Sequence, residues 1–257
     1  MAEQRRVRRD HTGSTSTREA ILEAVMGLIA EYGYTGFSLR DIAREVGVSH
    51  PAVVYHYPSK EELLRTVIER AEAAMGISGI FFADEPQEGE GRTADAGGAG
   101  PDGADPYRTV IGLVVALMRF AQKPEAPVVL ALDGMLTAES ASPLHPAHEH
   151  YRDRLASIEQ SIVAEMTRIS RECGVELPAD PAFLGRGLMR HWYGEILAAR
   201  YRSETIDAPE FIAEYLSVCA HMIDMPPEIL LDIGATLPDD VLEIYGRILR
   251  KVRDKRR

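Results

Sequence analysis

The residues best equipped for chemistry in this chain are its histidines and the carboxylates beside them. His145, His148 and His150 crowd one short stretch with Glu149 among them, and His191 and Glu195 stand four apart further on. Imidazoles and carboxylates so grouped are what orients a polar ligand or holds a metal. The spacing stops short of a metal site: Pro146 interrupts the turn between His145 and His148, and no H-E-x-x-H pattern occurs, so no metal is expected. Cys173 and Cys219 match no C-x-x-C pattern and read as buried free thiols. The chain also has no G-x-S-x-G elbow, no G-x-x-x-x-G-K phosphate loop and no G-x-G-x-x-G after a strand. Nucleophilic, phosphoryl-transfer and dinucleotide chemistry thus have no carrier, and a non-enzyme without cofactor is expected. What remains is positive charge at the start of the chain, where Arg5, Arg6, Arg8 and Arg9 suit contact with phosphate or a minor groove, or a merely solvated tail.

Charge is unevenly shared. The whole chain of 257 residues carries a formal net charge of -11, which opposes binding to a polyanion. Residues 1–60, however, hold eight basic side chains against seven acidic ones, so the net negative charge lies in the remainder. That asymmetry fits a two-part molecule whose first part meets phosphate. No apolar run approaches the ~18 residues of a membrane span, and the Arg-rich start is unlike a signal core. A cytoplasmic protein with no membrane partner is expected.

The elements that must position these residues read as helices throughout. Residues 1–15 lack apolar periodicity and predict a disordered basic arm. Ser16 to Glu19 form a capping box, followed by Ile21, Val25, Leu28, Ile29 and Tyr32 on one face until Gly33. Ser38 caps a short helix with Ile42, Ala43 and Val46 inward; Gly47 makes a tight turn, and Ser49 caps the next helix, with Pro51 in its first turn. Ser59 to Glu62 cap a fourth helix carrying Leu63, Leu64, Val67, Ile68 and Ala71. Residues 84–106 contain six glycines, three prolines and seven acidic residues and read as a flexible insertion. Beyond it, helical patterns run from Pro106, from Glu125 and from Pro146 to Cys173, with Leu155, Ile158, Ile162, Met166 and Ile169 as a stripe. Further helices start at Asp180 (stripe Leu184, Leu188, Trp192, Ile196), at Asp207 and near Asp239. The fold class is all-α, with no strand and no internal repeat.

Three short serine-capped helices with a glycine turn are what a helix-turn-helix requires: one braces, one crosses the backbone, one enters the major groove. The residues Phe37-Ser-Leu-Arg-Asp-Ile-Ala-Arg-Glu-Val-Gly-Val-Ser-His-Pro-Ala-Val-Val-Tyr-His-Tyr-Pro-Ser-Lys-Glu-Glu-Leu63 resemble the TetR family signature, including the Gly-Val-Ser turn and the Tyr-x-Tyr-Pro-Ser-Lys-Glu-Glu-Leu exit. The resemblance covers about the first quarter of the chain. It implies a helix-turn-helix DNA-binding domain at 16–60 and a larger helical ligand-binding and dimerisation domain at 61–257.

It further implies that Ser38 and Arg40 face DNA, Arg40 with a fork that matches a guanine edge. His50, Pro51 and Ala52 would lie at the tip of the recognition helix, and Tyr55, His56 and Lys60 against phosphates, with Ser49 at an anion-friendly helix end. Alternatively, Arg40 pairs with Asp41 or Glu45 and contacts nothing else. Two departures from the family pattern stand out: Val54 replaces a common tyrosine, and Tyr57 a common phenylalanine, which only adds a hydroxyl to a core ring. The resemblance implies a homodimer on a near-palindromic double-stranded DNA operator, with an unidentified small-molecule effector as second partner. Candidate pocket residues are Phe120, Met135, Met166, Met189, Trp192 and Tyr193, soft and aromatic side chains that equally suit a core. The helices holding Leu184 to Arg200 and Phe211 to Ile223 are the expected dimer faces. A DNA-binding factor of the same build that senses no ligand, and an all-helical enzyme, remain as alternatives.

Overall fold

The computed structural model describes residues 17–76, 108–202 and 204–224, with Asp239, Val241, Leu242 and Gly246 beyond them. The expected arm at 1–15, the insertion at 84–106 and most of the helix expected near Asp239 lie outside the described residues. Within them the chain is all-helical: α1 (Thr17–Tyr32), α2 (Leu39–Val46), α3 (His50–His56), α4 (Lys60–Met75), α5 (Arg108–Ala121), α6 (Ala126–Glu139), α7 (His148–Cys173), α8 (Pro181–Tyr201) and α9 (Ala208–Met222), with a 3-10 turn at Tyr34–Gly36. None of these helices is long and apolar enough to cross a membrane.

Local chemistry accounts for the helix ends. The Ser38 hydroxyl accepts from the Asp41 N–H while the Asp41 carboxylate accepts from the Ser38 N–H, a full capping box. Ser49 accepts from Ala52 N–H, Ser59 from Glu62 N–H, and Asp207 from Glu210 N–H. Each such cap contributes about 1 kcal/mol. Asp180 accepts from the N–H groups of both Ala182 and Phe183, with Pro181 needing no acceptor at the first position. Gly47 closes α2 at φ 78°, ψ 29°, and a side chain there would meet open space; the glycine is needed for its left-handed backbone alone.

Packing departs from the expected single stripe on α1. Ile21, Val25 and Ile29 are buried as the periodicity predicts, but Leu22, Met26 and Ala30 join them, while Tyr32 is 56% exposed. The reason is that α1 is sandwiched: α2, α3 and α4 lie against it, and α6 packs along it in the most extensive helix–helix contact among the described residues. A helix buried from two directions shows no single apolar stripe. One hydrophobic cluster therefore runs from Ile21 through Leu63 and Val67 to Leu130, Leu136 and Ile212. A smaller cluster of Met166, Leu184 and Leu188 joins α7 to α8 at the far end. Gly134 on α6 admits Ile196 of α8 so closely that a Cβ would lie 2.3 Å from its methyl, which fixes those two helices against each other.

Candidate nucleic-acid interface

The outward face of α2 and α3 is assembled from residues close in sequence. Ile42, Ala43, Val53 and Tyr57 point inward and are buried, and the Tyr57 hydroxyl donates to the Arg18 carbonyl at 3.4 Å. The hydroxyl expected as an incidental addition thus ties α1 to the end of α3, with the Arg18 guanidinium over the same ring at 5.3 Å. Because α3 turns its Val53 side inward, Ser49, His50, Pro51 and Tyr55 are left exposed, Ala52 and His56 half-buried. Tyr55 is 82% exposed and meets His56 edge-on at 5.2 Å. A large aromatic side chain held this far out gains nothing from the core, and Tyr offers one ring face plus one hydroxyl to a partner.

On α2, Ser38 and Arg40 are exposed. The Asp41 carboxylate is taken by the Arg44 guanidinium at 3.0 Å and the Ser38 hydroxyl at 2.6 Å. Its pKa is held below the usual carboxylate range by the Ser38 contacts first and Arg44 second. The alternative in which Arg40 is absorbed by Asp41 is therefore not realised: the neighbour that pairs is Arg44, a solvent-exposed cation on the same helix that sequence reasoning passed over. Its basic character and its place one turn beyond Arg40 were the available signal.

Lys60 requires a correction. Expected against phosphate, its ammonium instead donates to the carbonyls of Tyr34 and Phe37 and lies over both of their rings, 4.5 and 4.1 Å from the centroids. Burial lowers its pKa, with nearby Glu139, Glu61 and Asp41 opposing. The turn at Tyr34–Gly36 presents the Tyr34 and Phe37 carbonyls to the start of α4. A cation there satisfies both and clamps the approach to α2. Burial, with Glu61 adding to it, pushes the Tyr34 hydroxyl up to about 12.

The pocket candidates divide between core positions and partly covered ones. Phe120 is fully buried in the main cluster, Met166 sits in the smaller one, and Met135 and Met189 are half-buried on different helices. Trp192 packs edge-on against Phe211 and Tyr215 at 4.9 Å each. Tyr193 is raised well above its usual pKa by burial and by Asp133. Near it lies a polar centre that the sequence reading missed. Asp133 on α6 and Arg154 on α7, 1% and 3% exposed, meet at 2.5 Å, and the Tyr151 hydroxyl donates to the same carboxylate at 3.3 Å. The Arg154 Nε lies 3.5 Å from Glu72 on α4, whose Oε1 also meets His150 at 2.9 Å. Burial alone would lower the Arg154 pKa; Asp133, Tyr193 and Tyr151 together outweigh it, and the guanidinium stays charged. The other Asp133 oxygen, Oδ2, has no hydrogen-bond partner.

The histidines have structural partners: His148 Nδ1 lies 2.7 Å from the Ser140 carbonyl, His145 Nδ1 accepts from Ala147 N–H, and His191 stacks on Tyr215. Among the described residues no three metal-ligating side chains come together. Burial pushes the Cys219 thiol up to about 12, which leaves it protonated. An open groove of about 550 Å³ runs between α4 and the start of α7, lined by Glu61, Glu62, Arg65, Ile68, Glu69 and His150 among others; none of the six pocket candidates lines it.

Two capped helices joined by a left-handed glycine, braced by a third and carrying their polar residues outward, define a helix-turn-helix module on an all-helical body. Residues 21–67 match the family model described as bacterial regulatory proteins, tetR family. It is 37% identical over 73 residues to the HTH-type transcriptional regulator YxbF of Bacillus subtilis, covering 28% of this chain and 19% of that protein. It is 38% identical over 53 residues to the HTH-type transcriptional regulator CymR of Pseudomonas putida, covering 21% and 26%. The matched segments thus span about a fifth to a quarter of these curated relatives. A TetR transcription regulator from Haloarcula marismortui shares the fold with a TM-score of 0.53 at 19% identity, over 81% of this chain and 96% of that one. A structure described as the SmeT-triclosan complex does so with a TM-score of 0.54 at 19% identity, over 80% and 91%.

Proposed function

We propose that this protein is a DNA-binding transcriptional regulator, a repressor that sits on a near-palindromic operator as a homodimer and is released by a small-molecule effector. The observation that carries the reading is the outward face of α2 and α3, where Ser38, Arg40, Ser49, His50, Pro51 and Tyr55 stand exposed with Ala52 and His56 beside them on a module matched by the family model. Arg40 and the tip of α3 read base edges; Tyr55 and His56 position the module on the backbone. Lys60 has no place in that set, because its ammonium is already committed to the Tyr34 and Phe37 carbonyls.

The dimer forms through α8 and α9. Phe183, Leu197 and Tyr201 on α8 are 58%, 43% and 85% exposed, large apolar groups that a second copy would cover. Two recognition helices would then lie about 34 Å apart, one turn of duplex. The effector lodges among α6, α7 and α8, where Met135, Met189, Trp192 and Tyr193 are only partly covered, while Phe120 and Met166 serve the core. SmeT, described in complex with triclosan, lends support by analogy for a fold of this kind holding a small apolar molecule.

The test is selection of random duplexes by the purified protein at near-physiological salt, followed by sequencing. A two-fold motif with half-sites one helical turn apart is expected. Recovery of only a salt-sensitive background would remove the sequence-specific reading.

A further inference from the structure

The α1–α2 turn of the reading module is gripped from outside by the C-terminal body. Glu139, the last residue of α6, reaches across 105 positions of sequence to accept from the Tyr34 backbone N–H at 2.7 Å. Gly33 makes this approach possible. At φ 76°, ψ 171° it occupies a backbone region open to glycine alone, and a Cβ there would lie 2.2 Å from the Glu139 Oε1. On the other side of the same turn, Lys60 holds the Tyr34 and Phe37 carbonyls. His145, from the loop after α6, places its ring edge-on to Tyr34 at 5.1 Å. Its Nδ1 accepts from Ala147 N–H, so in the neutral ring the proton sits on Nε2, which is buried without a hydrogen-bond partner and 3.9 Å from the Glu139 carboxylate. Arg200 on α8 donates to the Glu31 carbonyl at the end of α1 at 3.2 Å. At its middle, the same α6 carries Asp133, paired with Arg154 in the interior.

We propose that Glu139 is the positioning residue that couples the body to the DNA-reading module. It is a carboxylate clamp at the end of α6 that sets the Gly33–Phe37 turn and, through it, the attitude of α2 and α3. α6 is then a rigid strut with one polar anchor in the effector-binding interior, at Asp133, and one in the reading module, at Glu139. A displacement of α6 moves the turn without passing through α4. His145 Nε2–H stands ready as the alternative donor to Glu139 should the carboxylate leave Tyr34. This deepens the regulator reading and rests on it for the word coupling; the clamp itself is independent of DNA.

Amide hydrogen exchange on the full chain, alone and with the duplex recovered by selection, tests it in Glu139→Ala, Glu139→Asp and Glu139→Gln. In the free protein, Ala and the shorter Asp are expected to speed exchange at Tyr34 by about tenfold, the loss of one charge-assisted hydrogen bond. Gln, which keeps an acceptor of the same reach, stays within about threefold of the parent. With duplex, the parent gains protection in α2 and α3 and also at the end of α6; the Ala and Asp variants gain it in α2 and α3 only. A purely structural contact would not break that reciprocity. Unchanged Tyr34 exchange in the free Ala and Asp variants, or duplex-induced protection of α6 that survives in them, would overturn the clamp. Absence of duplex protection in every protein, the parent included, counts against the regulator reading, and the free-protein exchange then decides the clamp alone.

Discussion

The outer and inner faces of the reading module are built by opposite rules. Outward, along α2 and α3, polar groups such as Arg40, His50 and Tyr55 are held in solvent, and each was placed there by a cap or turn within a few residues. Inward, toward α6, polar groups are held by partners far away in sequence, Glu139 on Tyr34 and Lys60 on the turn carbonyls, and deeper in the body Asp133 holds Arg154. Groups on the first face add little to stability and are available to a partner. Those on the second cannot be removed without leaving a buried donor or charge unsatisfied. The difference separates residues left open to a partner from residues already committed to one within the fold.

Breaking one partner of the innermost pair has the largest expected effect. Asp133→Ala or Arg154→Ala leaves a buried charge alone and is expected to cost about 3–5 kcal/mol in urea unfolding; a loss below about 1 kcal/mol would mean that water reaches the pair. Next come the two turn glycines: Gly33→Ala and Gly47→Ala each force a side chain into backbone space that only glycine occupies freely, for a loss of about 1–3 kcal/mol. Gly33→Ala should be the worse of the two, since it also displaces Glu139, whereas open space surrounds Gly47. Equal losses would argue that backbone strain alone matters. On the outer face, Arg40→Ala and Tyr55→Ala are expected to leave stability within about 0.5 kcal/mol while weakening duplex binding by about 1–3 kcal/mol. A melting shift as large as the binding loss would blur the distinction between the faces.

The smallest effect concerns pH. Burial lowers the His145 pKa below its ordinary 6.5, against the pull of Glu139. The unfolded chain therefore binds this proton more readily than the folded one, so stability contributed at this site is full above pH ~6.5 and falls as acid is added below it. His145→Gln should flatten that part of the stability profile, measured by urea unfolding between about pH 7 and pH 5; an unaltered slope would place the proton uptake elsewhere. Tyr34 and Glu139, which face the ring, are held constant in that comparison.

Much of the outer face was legible from residue order. Ser38, Gly47, Ser49 and Ser59 act within one helical turn, so their types announce where helices begin and end; of the inward set expected from helical period, Ile42 and Ala43 are buried and Val46 is half-buried. The inner face was not. Tyr32 was expected in the core of α1 and is exposed, because the periodicity of one stripe does not reveal that α6 packs on a second side. Lys60 was expected on phosphate from the family resemblance, and nothing local shows that a turn twenty-odd residues earlier offers it two carbonyls. The six pocket candidates were chosen by type, and type does not decide which helices meet.

Sequence by itself determined the all-helical class, the caps and the turn, since these depend on interactions between residues a few positions apart. Only the tertiary structure decided that Glu139 meets Tyr34, that Arg154 is shared between Asp133 and Glu72, and that Lys60 faces inward. Those contacts join residues whose separation along the chain carries no periodic signal, and they exist only because the packing of α1 and α4 against α6 and of α6 against α8 brings them within hydrogen-bond reach.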